Sequence, residues 1–184
     1  MSDNATGLSQ GLLMRPSRPS DADFLAALHR STRADLWMVD AERDFIETLI
    51  EQQQKFQTIG YGDAYPNALY FVIERLGERV GRVAIDFDYD EVRILDIAFI
   101  PAVHGLGYGT AILRDLQGIA TRVGAPLTLS VMRGNGRAAQ FYLALGFKVA
   151  QRLPLVDVMV WLPWEAGGTG VPPARSGASS EFSG

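Results

Sequence analysis

Two stretches of this chain concentrate residue types that could do chemistry. The first is His104-Gly105-Leu106-Gly107-Tyr108-Gly109-Thr110. Glycine at alternate positions lets backbone N–H groups approach a ligand closely, and a helical pattern begins at residue 109. A helix start adds orphan N–H donors and the positive end of a dipole, so the segment suits an anion such as phosphate. The same glycines would also serve a tight strand-to-helix turn with no ligand at all. The spacing is not G-x-G-x-x-G and no Gly-Lys-Ser/Thr follows, so neither the dinucleotide fingerprint nor the P-loop is present. The second stretch is Asn135-x-x-Ala138-x-x-x-Tyr142-x-x-x-Gly146-Phe147. Asn135 suits a helix cap. Tyr142, two turns on, lies on nearly the same face, and Gly146 suits the helix stop. That pattern equally describes a capped amphipathic helix whose aromatic packs in a core.

Other features read more plainly. Asp86, Asp88, Asp90 and Glu91 form an acidic run at a hairpin. A calcium loop needs Gly at its sixth position and Glu at its twelfth, where this chain has Glu91 and Ile97, so the run reads as a solvated turn, or as a flank for a cationic acceptor. Gly7-Leu8-Ser9-Gln10-Gly11 matches the esterase pattern G-x-S-x-G, but no strand precedes it. The chain has no Cys and two His, which excludes thiol nucleophiles and disulfides and makes a metal site an unpromising reading. A net charge of −4 and the lack of a basic stripe argue against nucleic acid. No apolar run reaches the roughly 18 residues of a membrane helix, and no signal-peptide pattern opens the chain, so a cytoplasmic protein with no membrane partner is the default expectation.

The elements that must position these residues fit one domain. The 184 residues are 47% hydrophobic and 21% charged, as in an ordinary globular protein. Residues 1–10 read as a flexible N-terminus, 11–164 as the folded domain, and 165–184 as a disordered Gly/Ser/Pro-rich tail. A short strand at 12–15 precedes a first helix to about residue 33, with Ser20 as cap and Asp23 as its acidic N3 partner. A second helix is expected at 41–57, then a loop at 60–67. Strands at 69–75, 80–88 and 92–100 are joined by short turns, which makes an antiparallel meander. A helix at 109–123, a strand at 127–132 and the length of that crossover favour right-handed parallel pairing. A helix at 136–145 and strands at 147–151 and 155–162 close the fold. The class is α/β, with a mixed six- to seven-stranded sheet flanked by about four helices.

The two stretches in this order resemble the GNAT superfamily of N-acetyltransferases, and the resemblance covers roughly residues 12–162. Gly107 and Gly109 match the glycines of the family's Arg/Gln-x-x-Gly-x-Gly/Ala pyrophosphate loop, and Pro101 sits where a proline commonly closes the preceding strand. His104 replaces the usual Arg/Gln. Asn135, Tyr142, Gly146 and Phe147 match the family's Asn…Tyr…Gly-Phe helix without departure.

The resemblance implies acetyl-CoA as co-substrate, with no metal. Gly105, Gly107, Tyr108, Gly109 and Thr110, together with His104, would hold the pyrophosphate, and Asn135 would reach the pantetheine or phosphate region. Ile97 and Phe99 would offer backbone groups to the pantetheine arm in a gap between splayed strands. A backbone N–H near them would stabilise charge on the thioester oxygen. Tyr142 would act as general acid on the leaving thiolate. Asp96 is the candidate base; it is expected to share a face with Val92, Ile94 and Ala98, and its alternative role is an ion pair with Arg82 or Arg75. Trp37, Met38, Phe45, Tyr61, Asp63 and Tyr65 would line the acceptor pocket. The expected partner is a small-molecule or peptide amine, and a homodimer is common with this resemblance. The rival readings are a non-catalytic acyl-CoA sensor, a partner-binding module with the same fold, and a nucleotide-binding fold of another kind.

Overall fold

The computed structural model describes residues 6–32 and 65–167. The second helix expected at 41–57, and with it Trp37, Met38, Phe45, Tyr61 and Asp63, lies outside the described residues. Within them the order is β1 (Thr6–Gly7), β2 (Leu12–Pro16), α1 (Ala22–Thr32), β3 (Leu69–Arg75), β4 (Glu78–Phe87), β5 (Val92–Phe99), α2 (Tyr108–Val123), β6 (Leu127–Met132), α3 (Gly136–Ala144), β7 (Lys148–Arg152) and β8 (Val156–Trp161). They form one mixed sheet in the order β1-β2-β3-β4-β5-β6-β8-β7. Seven of its strands have five or more residues, the number expected from the sequence, and β1 adds a two-residue edge. The sole parallel pair among the described strands is β5 with β6, joined by the α2 crossover.

The start of α1 differs from expectation. A 3-10 turn at Pro19–Asp21 precedes it, and the Asp21 carboxylate accepts the Arg18 N–H at 2.8 Å. Pro19 favours that early turn because its fixed φ suits a first helical position and its missing N–H costs nothing there. The capping pair is therefore Arg18 and Asp21 rather than Ser20 and Asp23. Asp21 is buried and also takes two bonds from Arg15, at 2.8 and 2.9 Å.

Strand alternation gives the sheet two faces. Leu12, Met14, Ile73, Val83, Ile85, Val92, Ile94, Leu127 and Leu129 form one core with Ile112, Leu113 and Leu116 of α2. The other face carries Val72, Ala84 and Ala98, and α1 packs there against β4 and β5.

Two local features shape the middle of the sheet. Along β4 and β5 the register runs Ile85↔Ile94 and then Ala84↔Asp96, so Leu95 is an extra residue, a β-bulge. Because side chains alternate with period two, one inserted residue exchanges the faces beyond it. Ile97 and Phe99 therefore stay on the α2 face with Val92 and Ile94, while Asp96 and Ala98 turn to the α1 face. This corrects the expectation that Asp96 shares a face with Val92 and Ile94. Gly81, opposite Phe99, is the second feature: a Cβ there would lie 2.6 Å from the Ala98 carbonyl oxygen and 2.7 Å from the Phe99 ring. Only glycine lets that ring lie across β4 and meet Tyr108 edge-on, with centroids 6.5 Å apart.

Candidate active site

The site begins where two strands part. Parallel pairing of β5 and β6 covers only Val92↔Leu127, Arg93↔Thr128 and Ile94↔Leu129. Beyond that point β5 continues to Phe99 and β6 to Met132 without pairing to each other. The bulge at Leu95 falls at the parting, where it adds local twist. A cavity of about 380 Å³ occupies the gap. Ile94, Ile97, Leu129, Val131 and Tyr142 line it from the α2 side, and Arg93, Asp96 and Tyr65 line its other part.

The β5 backbone faces this gap. Ile100 donates its N–H to the Val80 carbonyl across β4. Backbone groups of successive strand residues point to alternate sides, so Phe99 and Ile97 direct theirs away from β4, toward β6. The Phe99 carbonyl already accepts the His104 ring, with Nε2 at 2.9 Å. His104 thus occupies the strand's last acceptor rather than extending into the glycine loop.

Tyr142 comes from α3, whose position is fixed by its cap and its core contacts. Asn135 Oδ1 accepts the Ala138 N–H at 3.1 Å, which satisfies one orphan donor of the helix. Tyr142 meets Phe147 edge-on at 5.8 Å, and Phe147 is buried in the main core. Tyr142 and Asn135 both line the cavity, so the shared face expected from their spacing is present. Burial raises the Tyr142 phenol pKa above its ordinary value, and the negative charge of Asp96 raises it further. The hydroxyl therefore keeps its proton at neutral pH.

Asp96 reaches the same cavity from β5 and pairs with Arg82, Nε to Oδ2, at 2.5 Å. The ion pair that the sequence offered as its alternative role is thus present, with Arg82 as the partner rather than Arg75. It leaves Asp96 on the cavity wall and fixes its rotamer.

The glycine segment precedes α2. Gly105 and Gly107 have φ of 80° and 83°, a region that residues with a Cβ adopt only under strain. The Ala111 N–H to Gly107 carbonyl bond, at 3.0 Å, opens the helix. Tyr108, Gly109 and Thr110 then hold first-turn N–H groups, for which a helix has no internal acceptor. The Tyr108 side chain itself is buried, under Arg75 at 5.5 Å and beside Phe99, so only its backbone is available to a ligand. A Cβ added at Gly105 would meet open space, so this loop is a cradle exposed to solvent.

Sequence reasoning missed Arg93, Gly81 and the Leu95 bulge. Arg93 carried no motif, and the bulge has no signal in an uninterrupted run such as VRILDIAFI. Ser9, part of the G-x-S-x-G match, bonds Asp115 of α2 through both its N–H and its hydroxyl, at 3.0 and 2.8 Å. It is a surface anchor, not a nucleophile.

A cradle of N–H groups, an unpaired strand edge and a half-buried phenol beside a carboxylate suit a ligand with an anionic end and a thin extended arm. Comparison with known proteins agrees with that geometry. Residues 26–147 match the model of the acetyltransferase (GNAT) family, and the chain belongs to that family. It is 31% identical over 98 residues to an uncharacterized N-acetyltransferase of Methanocaldococcus jannaschii; the match spans 52% of this chain and 62% of that protein's length. The fold is similar to that of the PaiA N-acetyltransferase of Thermoplasma acidophilum, whose crystal structure is a complex with coenzyme A. The TM-score is 0.63 and the identity 17%, over 82% of this chain and 98% of that one. An acetyltransferase from Thermus thermophilus is similar to the same degree, with a TM-score of 0.62 and 20% identity over 84% of this chain and 99% of the other.

Proposed function

We propose that this protein is an N-acetyltransferase that moves an acetyl group from acetyl-CoA to a primary amine by direct attack. The observation that carries the reading is the parting of β5 and β6 after Ile94↔Leu129, with Tyr142 and Asp96 facing one opening. When bound, acetyl-CoA would supply an activated acyl carbon and a thiolate leaving group.

The chain's own residues account for the rest. The first-turn N–H groups of Tyr108, Gly109 and Thr110, with the Gly105–Gly107 loop, bind the pyrophosphate through backbone donors and the helix dipole. The gap-facing backbone of Ile97 pairs with the pantetheine arm as an added strand would. Its N–H also lies on the edge where charge develops on the acyl oxygen, and a fixed donor there favours the transition state over the ground state. Tyr142 donates its phenolic proton to the departing sulfur, a role that needs the phenol protonated at the working pH. Asp96, oriented by Arg82, takes the proton that the attacking amine must lose. Asn135 keeps α3, and thereby Tyr142, at its angle to the gap. His104 holds the end of β5.

The test is release of free thiol from acetyl-CoA in the presence of a panel of amines, for the native protein and Tyr142→Phe. The phenylalanine variant should lose about 10²-fold or more in kcat with little change in the KM for acetyl-CoA. Equal kcat values for the two proteins would remove Tyr142 from the chemistry.

A further inference from the structure

The α1 side of the opening carries a second arrangement that acetyl transfer alone does not use. The register sets Arg93 opposite Asp86 and Asp96 opposite Ala84, so both side chains leave the same face, about 7 Å apart along the strand. Arg93 and Asp96 line the cavity together with Tyr65. Each is held by a counter-ion from outside the cavity wall. Arg93 Nε and Nη2 both reach Glu91 Oε1, and Glu91 Oε2 accepts the hydroxyl of buried Thr128 at 2.7 Å. The guanidinium also lies over the Tyr65 ring, 5.7 Å from its centroid, and interacts with the Tyr65 hydroxyl as well as with Glu91. No carboxylate among the described residues bonds Arg93 Nη1. Asp96 is held through Oδ2 by Arg82, and its Oδ1 is without a hydrogen-bond donor among those residues.

One face of the cavity therefore presents a guanidinium edge and a carboxylate oxygen, both fixed before any ligand arrives. Glu91 and the buried Asp86 offset the charge of Arg93, so a simple anion gains little here. A ligand that brings both signs at once satisfies both atoms without adding net charge.

We propose that the acceptor is a small zwitterion, a free α-amino acid, with its carboxylate on Arg93 and its amine on Asp96. An amino-acid headgroup carries one charge of each sign a short distance apart, so it can bond one of these side chains at each end. A polyamine would set a second cation against Arg93. A peptide N-terminus would offer it only a neutral amide. The inference rests on the acetyl-transfer reading and specifies the substrate of the same site.

The experiment compares kcat/KM for free amino acids, their carboxamides and the corresponding decarboxylated amines, with acetyl-CoA as donor. The best amino acid should exceed its amide by at least about tenfold, since a site built around a polar group rejects an analogue that leaves it unpaired. Arg93→Gln should bring that ratio toward one, while Glu91→Gln, which removes the competing charge and keeps an acceptor for the guanidinium, should raise it. Melting curves identify any variant that fails to fold, and the two variants move the ratio in opposite directions, so a general loss of structure does not mimic the result. Amides or plain amines used as well as the acids, or a ratio that neither variant moves, would overturn the inference and leave acetyl transfer standing. Turnover of no acid, amide or amine would overturn both.

Discussion

At the residue scale the proposed chemistry depends on a protonated phenol. Tyr142 titrates above the ordinary value because burial and the Asp96 charge both disfavour the phenolate. As general acid it should keep kcat level into the alkaline range, with the decline beginning above pH 10, and Tyr142→Phe should remove that limb from the pH–rate profile. The same shift acts on stability. The unfolded chain releases the phenolic proton at lower pH than the folded one, so this contribution is complete below about pH 10 and is lost as pH rises through the folded value. Melting temperature should therefore fall less steeply above pH 10 in Tyr142→Phe than in the native protein; parallel curves would show that the phenol is not shifted. The Asn135–Tyr142 spacing was legible because seven residues make two helical turns. The facing of Asp96 was not, because a bulge is created by strand pairing and leaves no mark in a run of apolar residues.

At the element scale, close approach decides what each strand tolerates. Gly81→Ala would place a methyl 2.6 Å from the Ala98 carbonyl and against the Phe99 ring, so β4, β5 or the ring must move. Overpacking of this kind costs about 1–3 kcal/mol. The variant should melt lower and bind acetyl-CoA more weakly, because Phe99 shares the gap edge; unchanged melting would contradict the packing described. Asn135→Ala should cost about 1 kcal/mol as the loss of a cap. The meander, the crossover and the three described helices were legible from periodicity and turn residues, since each of these elements buries one stripe or alternates. The expected cap of α1 lies two residues past the observed one because Ser20 and Asp21 both suit such positions, and only the tertiary partner Arg15 decides between them. Of the residues that the resemblance implies for the acceptor pocket, Tyr65 lines the cavity and the others lie outside the described residues; aromatic content by itself does not distinguish a pocket from a core. Arg93 was passed over because a lone arginine in a strand has no pattern.

At the scale of the whole molecule, one network of charges around Arg15 holds the sheet to its surroundings. Asp21 ties β2, through Arg15, to the start of α1, and Glu74 on β3 bonds the same arginine at 2.8 Å. The Arg15 guanidinium bonded to Asp21 holds its carboxyl well below the usual carboxylate range. A lowered folded pKa contributes stability above the unfolded value near 3.8, and that stability is lost as pH falls through and below it. Asp21→Asn should cost about 3 kcal/mol at neutral pH, as breaking a buried pair leaves Arg15 short of its partner. Its melting temperature should then depend less on pH below 4 than that of the native protein; an equal slope would place the acid sensitivity elsewhere. The candidate site lies across the sheet, with donors for an anion on the α2 side and a charged pair on the α1 side, and the proposed function brings two ligands to that gap. The measurement that bears most directly on this is calorimetric titration of the protein with acetyl-CoA, with the same titration on Gly107→Val, which a φ of 83° disfavours. Binding near the micromolar level, about −8 kcal/mol, that is lost in a Gly107→Val protein still melting cooperatively, is the predicted result. No heat and no rise in melting temperature with the native protein would contradict the account.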